Sequence, residues 1–476
     1  MRLTLFGGAL CAAAAIAVSS PVALRAQAAD SLRLSLEDAV ARVLRSSDEA
    51  RIADALVELA DAQVTAARAA GLPQLRLNSN YQQVLKNARA QIVGAIFNQN
   101  YVYNSNLNVQ QAVFQGGRVF AASQAASRAE QAATLSREET RALLAVDIQR
   151  VYLNAVFTAR IAEIQASNLA LADERVTQAE QLERAGRASR YELLRARVER
   201  ANLEPLLRQA ESDRALAELE LRRLLDLPPT QPLALVTALD AARVRTLAES
   251  QASDRAPGVR PGVRAAELTA SARSAGIRVA RADLLPTFNA GFTFGYLALP
   301  TDPSFPTLGG DRGNQYCPPG APPTQQCQNN GWFPDRNFSV QMSWPLFDGL
   351  RAKGQIDLAQ AQARIADLQA RQAREQAAID VERARAELVR AQAVASARES
   401  VVREAEEAFE LASLRLARGV GTQLEVSDAQ LALLTARSTD ARAVFDLYLA
   451  VAELARVRAE PIPLPDGSTV TIRRTR

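Results

Sequence analysis

The chain has no histidine in 476 residues. A Ser-His-Asp triad, an imidazole metal site and a histidine proton relay are therefore excluded, and with them a large part of enzyme chemistry. No nucleotide loop, metal-ligand spacing or nucleophile motif stands in their place, so neither an enzyme nor a cofactor is expected. An excess of either sign of charge is small as well: 56 basic against 52 acidic side chains leave +4, and nothing in that excess points to nucleic acid. After the first 28 residues no apolar run reaches the roughly 18 residues a membrane-spanning helix needs. Cysteine is limited to Cys11, Cys317 and Cys327.

What is present begins with a leader. Residues 1–28 have a basic start at Arg2, an apolar core from Leu3 to Val18 and the small-residue end Ala26-Gln27-Ala28, the layout of a secretory signal peptide. Two of the four excess positive charges, Arg2 and Arg25, lie in it. Cys11 sits inside its apolar core behind Leu10, where a lipoprotein site calls for a small residue. Export leaves Cys317 and Cys327, an even pair in a Pro- and Gly-rich loop, which reads as one local disulfide; two free thiols are the alternative. An exported chain without a spanning helix is either soluble or crosses a membrane as a β-barrel.

The remainder is two copies of one unit. Pro73 and Pro286 each end a helical pattern and precede alternating residues, and Phe114 and Phe347 each close the alternation before a long helical run. Phe114 to Gly186 spans 72 residues, as does Phe347 to Gly419. Between proline and phenylalanine the copies differ, at 41 and 61 residues, and the additional 20 surround the two cysteines, marking a surface loop. The spacing divides the chain into a first unit over 29–227, a Pro-rich connector over 228–261, a second unit over 262–458 and a tail over 459–476. Hairpins are expected over 74–114 and 287–347, and helix turns near 186 and 419.

The alternating stretches are polar on one face and apolar on the other. Leu75, Leu77 and Tyr81 alternate with Arg76, Asn78 and Asn80; Phe338, Val340 and Met342 oppose Ser339 and Gln341. Four such segments of about 10 residues, with aromatics near their ends, fit lipid outside and water inside. A soluble sandwich is the alternative, since alternation alone does not say what lies over the apolar face. Four strands cannot enclose water, because the smallest membrane barrels use about eight, so several chains would have to share one barrel.

The helical runs from Gly117 to Ala185 and from Gly349 to Arg418 are nearly free of Gly and Pro, Gly354 being the exception. At about 1.5 Å per residue each approaches 100 Å, far beyond the needs of a globular domain. Ala359, Ala363, Ala366, Ala370, Ala373 and Ala377 step by four and three, a heptad seam of the smallest side chain. Such a seam also suits a simple coiled-coil stalk.

With these residues in hand, the chain resembles the TolC-like outer-membrane efflux family. The prolines before each hairpin, the "FQGG" and "FDGL" junctions and the two glycine turns carry the resemblance, which covers essentially all of the chain after the leader. It implies a mainly α fold with a membrane β-barrel: a homotrimer whose shared barrel has four strands per chain, twelve in all, continued by a long periplasmic α-helical barrel with an equatorial belt. Outer-membrane lipid, a periplasmic adaptor and an inner-membrane transporter would be its partners, and its role an exit duct for a tripartite efflux pump or type I secretion system. It makes Ala185, Gly186, Arg187, Ser189, Gly419, Val420 and Thr422 the expected adaptor-docking tip, with Arg187 departing from the family's frequent apolar residue. It also places inward carboxylates of a periplasmic gate at Glu425 and Asp428, with Glu192 a weaker member, and Arg415 and Arg418 within reach as counterions. Each carboxylate could equally lie on a solvated helix face. A periplasm-spanning stalk with a closed lumen is the competing role.

Overall fold

The computed structural model describes residues 32–86, 101–251, 258–299 and 332–470. The leader at 1–28, the pair Cys317 and Cys327, and the tail beyond 470 lie outside the described residues.

In the first unit, β1 (Leu32–Leu34), α1 (Leu36–Ser46) and α2 (Asp48–Ala69) lead to β2 (Gln74–Gln83) and β3 (Tyr101–Gln115). The long helix α3 (Arg118–Arg184) and its return α4 (Arg190–Leu224) follow. The connector is not a bare linker: it forms β4 (Leu233–Leu235), paired in parallel with β1, and α5 (Ala241–Gln251). The second unit runs through α6 (Pro261–Arg281), β5 (Thr287–Ala298), β6 (Trp332–Ser343), α7 (Arg351–Ala417) and α8 (Gln423–Val457). A small hairpin, β7 (Ile462–Pro463) with β8 (Thr469–Val470), closes the described chain.

The repeat holds to the residue in its helices. Helices α3 and α7 each have 67 residues, and α4 and α8 each have 35. Backbone exceptions repeat too, with left-handed φ at Gly117 and Leu350 before the long helices and at Asp226 and Ala459 after the returns. Non-glycine residues adopt that region only under constraint, so these positions mark where the long hairpins are fastened.

The four long strands form one antiparallel sheet in the order β2-β3-β5-β6. Its register sorts the sequence alternation into rows. Leu75, Val109, Phe292 and Phe338 lie side by side across all four strands, and the adjacent row is Arg76, Asn108, Thr293 and Asn337. On the polar face the amides bond to one another: Asn78 Nδ2 donates to Asn106 Oδ1 at 3.3 Å, and Asn108 Nδ2 to Thr293 Oγ1 at 3.4 Å. No helix covers either face, and β2 is exposed along its whole length. A sandwich needs a second sheet over the apolar rows; among the described residues the other sheets are two-stranded pairs elsewhere in the chain.

The helices below repeat the strand order, α2 packing on α3, α3 on α6 and α6 on α7. Between 359 and 377 the only positions of α7 not fully exposed are the six alanines of the predicted seam. Small side chains bring neighbouring helix axes close, and each buried methyl adds apolar contact without bulk. Two further stripes are left open: Ile52, Leu56 and Leu59 on α2, and Leu358, Ile365 and Ile379 on α7. They lie on the first and last helices of the layer, next to the first and last strands of the sheet.

The core sits halfway along the long helices, where α1, β1, β4, α5 and the terminal hairpin pack around them. Tyr152 and Tyr448 are fully buried there. The Tyr152 hydroxyl donates to the Leu34 carbonyl at 2.8 Å and accepts from Thr237 N at 3.1 Å, fastening the connector to the first unit. Arg260, at the head of α6, reaches Glu139 Oε1 at 2.7 Å and Asp380 Oδ2 at 2.9 Å, and so ties α3 to α7. All three side chains are largely buried. The tail hairpin contributes Ile462 and Leu464 to this core.

Candidate functional site at the two helix turns

The far ends of the two long hairpins are built alike. At the first, α3 ends with Ala185 as its cap residue and Gly186 at φ 71°. Arg187 N then donates to Leu182 O at 2.8 Å and Gly186 N to Glu183 O at 2.9 Å, a glycine-closed helix end. At the second, Gly419 has φ 74°, Val420 N donates to Arg415 O at 3.0 Å and Gly419 N to Leu416 O at 2.9 Å. Neither glycine is crowded, so the positive φ is the reason for glycine at these places.

The return helices differ in how they start. Ser189 caps α4 and Glu192 answers it: Glu192 N donates to Ser189 Oγ at 3.3 Å and Ser189 N to Glu192 Oε2 at 2.8 Å, a complete capping box. Thr422 caps α8, accepting from Glu425 N at 3.3 Å, but the Glu425 carboxylate turns to Arg415 Nε, also at 3.3 Å. The residue one repeat earlier than Arg415 is Leu182, which offers no charge. Hence Glu192 is held by its own helix end and Glu425 by the preceding helix. Arg418 makes no ion pair among the described residues.

Of the tip residues expected from sequence, Ala185, Gly186, Arg187, Gly419 and Val420 are exposed, Val420 at 68%. The Ser189 and Thr422 hydroxyls are engaged as caps. Glu425 and Asp428 lie on the first two turns of α8 and both are exposed.

Between those two carboxylates the structure adds a residue that sequence reasoning missed. Ser427 accepts from Arg175 Nη1 at 3.2 Å and donates to Glu199 Oε2 at 3.0 Å, joining α8 to both helices of the first hairpin. Glu199 also binds Arg195 Nε at 3.0 Å; that hydrogen bond, with a smaller contribution from Asp428, holds the Arg195 guanidinium above its ordinary range. Burial pulls Arg175 the other way, against the pull of Glu199. One turn further on, Gln430 Nε2 donates to Asn168 Oδ1 at 2.6 Å inside the helix interface. A cavity of about 220 Å³ opens beside this group, lined by Arg175, Glu199, Ser427, Asp428 and Gln430 among others. No linear signal marks Ser427, because its partners lie 252 and 228 residues away.

The sheet supplies a lipid-compatible face and an amide-rich face, but β2 and β6 present unpaired edges. No helix among the described residues is long and apolar enough to cross a membrane.

A family model described as outer membrane efflux protein matches residues 25–226 and 252–459, one segment per unit. Among solved structures, the outer membrane protein VceC of Vibrio cholerae aligns at TM-score 0.70 and 20% identity, covering 89% of this chain and 96% of that one. The CmeC outer membrane channel of Campylobacter jejuni aligns at 0.72 and 13%, over 89% and 85%. The open state of the Neisseria gonorrhoeae MtrE outer membrane channel aligns at 0.64 and 20%, over 89% of each chain. At these identities the structures speak for the fold. No curated protein matches the sequence.

Proposed function

The chain belongs to the outer membrane efflux protein family, and from that premise we propose that three copies form the exit duct of a tripartite efflux pump or type I secretion system. It is an outer-membrane protein with a periplasmic helical extension. The observation that carries the trimeric reading is the sheet with two open edges and no cover on either face. Open edges are not tolerated in lipid, and four strands are too few to enclose water. Pairing β2 of one copy with β6 of the next, three times, closes a barrel of twelve strands. The same operation sets the exposed stripe of α2 against that of α7 in the neighbour, because helices and strands share one order. Edge and stripe ask for one arrangement.

In that assembly the apolar rows face lipid, the amide rows face water, and the helices continue the passage to the two turns. Substrates move through it passively, without chemistry in the duct. The tip around Gly186 and Gly419 docks a periplasmic adaptor, with energy supplied by an inner-membrane transporter. Glu425 and Asp428 from three copies form two rings of carboxylates at the narrowest point. Such rings resist closing unless countercharges neutralise them, which is the part Arg415 plays for Glu425. Glu192, held in its cap, contributes little to the gate.

Planar bilayers test the reading against a closed stalk. The parent is expected to pass small, cation-preferring currents, and Glu425→Ala with Asp428→Ala to conduct more and with less preference. Silence from both proteins, under conditions where trimers insert, would favour the stalk.

A further inference from the structure

The net charge of the chain is concentrated at one level. The four segments joining helices to the sheet, residues 66–73, 116–121, 278–286 and 344–354, hold Arg68, Arg118, Arg278, Arg281, Arg351 and Lys353 against only Asp283 and Asp348. That excess of four is larger than the +2 left once Arg2 and Arg25 of the leader are set aside, so the rest of the chain is slightly acidic.

These segments are stitched into one collar. Gln115, Thr287 and Ser343 are aligned at the end of the sheet from which the helices depart. Asp283 bonds Arg118 and lies 3.9 Å from Arg351, Trp344 Nε1 donates to Leu284 O at 3.2 Å, and Gln111 Nε2 to Gly71 O at 2.8 Å. Gly116, at φ 60°, has no room for a Cβ against Ala282. Asp283 and Asp348 are thereby occupied by Arg118 and Arg351. Arg68, Arg281 and Lys353 are exposed and have no carboxylate among the described residues. Several arginines on the helices farther from the sheet do have carboxylate partners, as in Arg160–Glu163, Arg208–Glu211 and Arg371–Asp367.

Against the collar lies an exposed apolar belt continuous with the apolar face of the sheet: Leu72, Phe120, Trp344, Leu346, Phe347 and Leu350, with Leu346 at 84% and Phe347 at 83%. Apolar and aromatic side chains above, unpaired cations below, is the order a protein meets on leaving hydrocarbon through the headgroups. We propose that this collar binds the phosphates of anionic phospholipids in the periplasmic leaflet of the outer membrane, with Arg68, Arg281 and Lys353 as its phosphate-facing groups. The proposal rests on the reading of the sheet's apolar face as lipid-facing. In a three-chain assembly the charge is repeated around the ring, anchoring the height of the duct in the bilayer while leaving the lumen to the amide rows.

The test uses the full chain in nanodiscs of phosphatidylcholine with or without phosphatidylglycerol, followed by native mass spectrometry of the lipids retained. The parent should keep phosphatidylglycerol over phosphatidylcholine, less so in high salt. Each neutralised cation should lower that enrichment about fivefold, so Lys353→Gln alone loses one step and Arg68→Gln, Arg281→Gln, Lys353→Gln together lose most of it. Equal retention of both lipids by the parent, or an unchanged preference in the triple variant, would overturn the collar. A parent that enters discs of neither composition would instead remove the lipid-facing reading beneath it, and the collar with it.

Discussion

At the first helix turn Leu182 occupies the place that Arg415 has at the second, and the carboxylate ten residues on follows the change. Glu192 folds back to close a capping box, whereas Glu425 leaves its own helix end for Arg415. Backbone geometry is otherwise shared, from the left-handed glycine to the hydrogen bonds that close α3 and α7. The difference teaches that one turn is built for the stability of a helix start and the other for the placement of charge. A duplicated scaffold allows this, because two hairpins of equal length put both turns at one level while their side chains diverge.

The comparison can be broken most severely where the units are joined. Arg260→Ala leaves Asp380 largely buried without its ion-pair partner and Glu139 with Arg456 alone, and a loss of at most about 3 kcal/mol is expected, read as a lowered unfolding temperature. The contact also has a pH signature. Burial works against the Asp380 carboxylate, but Gln376 and Arg260 hold it below its ordinary value. Its stabilisation is therefore full above the ordinary carboxylate range and fades as pH falls through the lowered value, a fade that Arg260→Ala should weaken, with Gln376 and Arg456 still in place.

Next in size are the caps. Ser189→Ala should cost about 1 kcal/mol and Thr422→Ala somewhat less, since only the first dismantles a reciprocal pair. Denaturant midpoints of the two variants give the comparison directly. Arg415→Leu makes the second turn resemble the first. Stability should change by no more than about 0.5 kcal/mol, because the pair is exposed, but Glu425 should fold back onto Thr422 N in a structure of the variant. Finding Glu425 still extended would remove the explanation given for the asymmetry. Smallest is Asp440→Asn. Burial raises the Asp440 carboxyl, with Arg245 opposing and Glu399 adding to the shift. A raised carboxyl stabilises below its ordinary value and loses that contribution as pH rises through the raised one, so the amide should slightly raise the unfolding temperature near neutrality and not in acid.

Much of the scaffold was legible because it is periodic. The spacing of 72 residues from phenylalanine to glycine reappears as helices of equal length, and the alanine seam over 359–377 as the covered face of α7. Strand alternation gave both faces of the sheet, since a period of two leaves no freedom once one face is apolar. The site was legible only in part. Ser189 and Glu192 have the spacing of a capping box, a signal in the sequence that accounts for Glu192 without a gate. Ser427 with Arg175 and Glu199, and Arg260 with Glu139 and Asp380, were hidden, because such contacts depend on how two distant hairpins slide against each other. The Pro-rich connector was legible as an interruption, whereas its strand and helix exist by pairing with β1 and packing on the long helices.

The central claim is that the open edges of one sheet are closed by two further copies of this chain. Native mass spectrometry of the particle extracted from outer membranes measures this directly. The account predicts three chains that come apart only when the sheet unfolds; a particle of one chain that still spans the bilayer would contradict it.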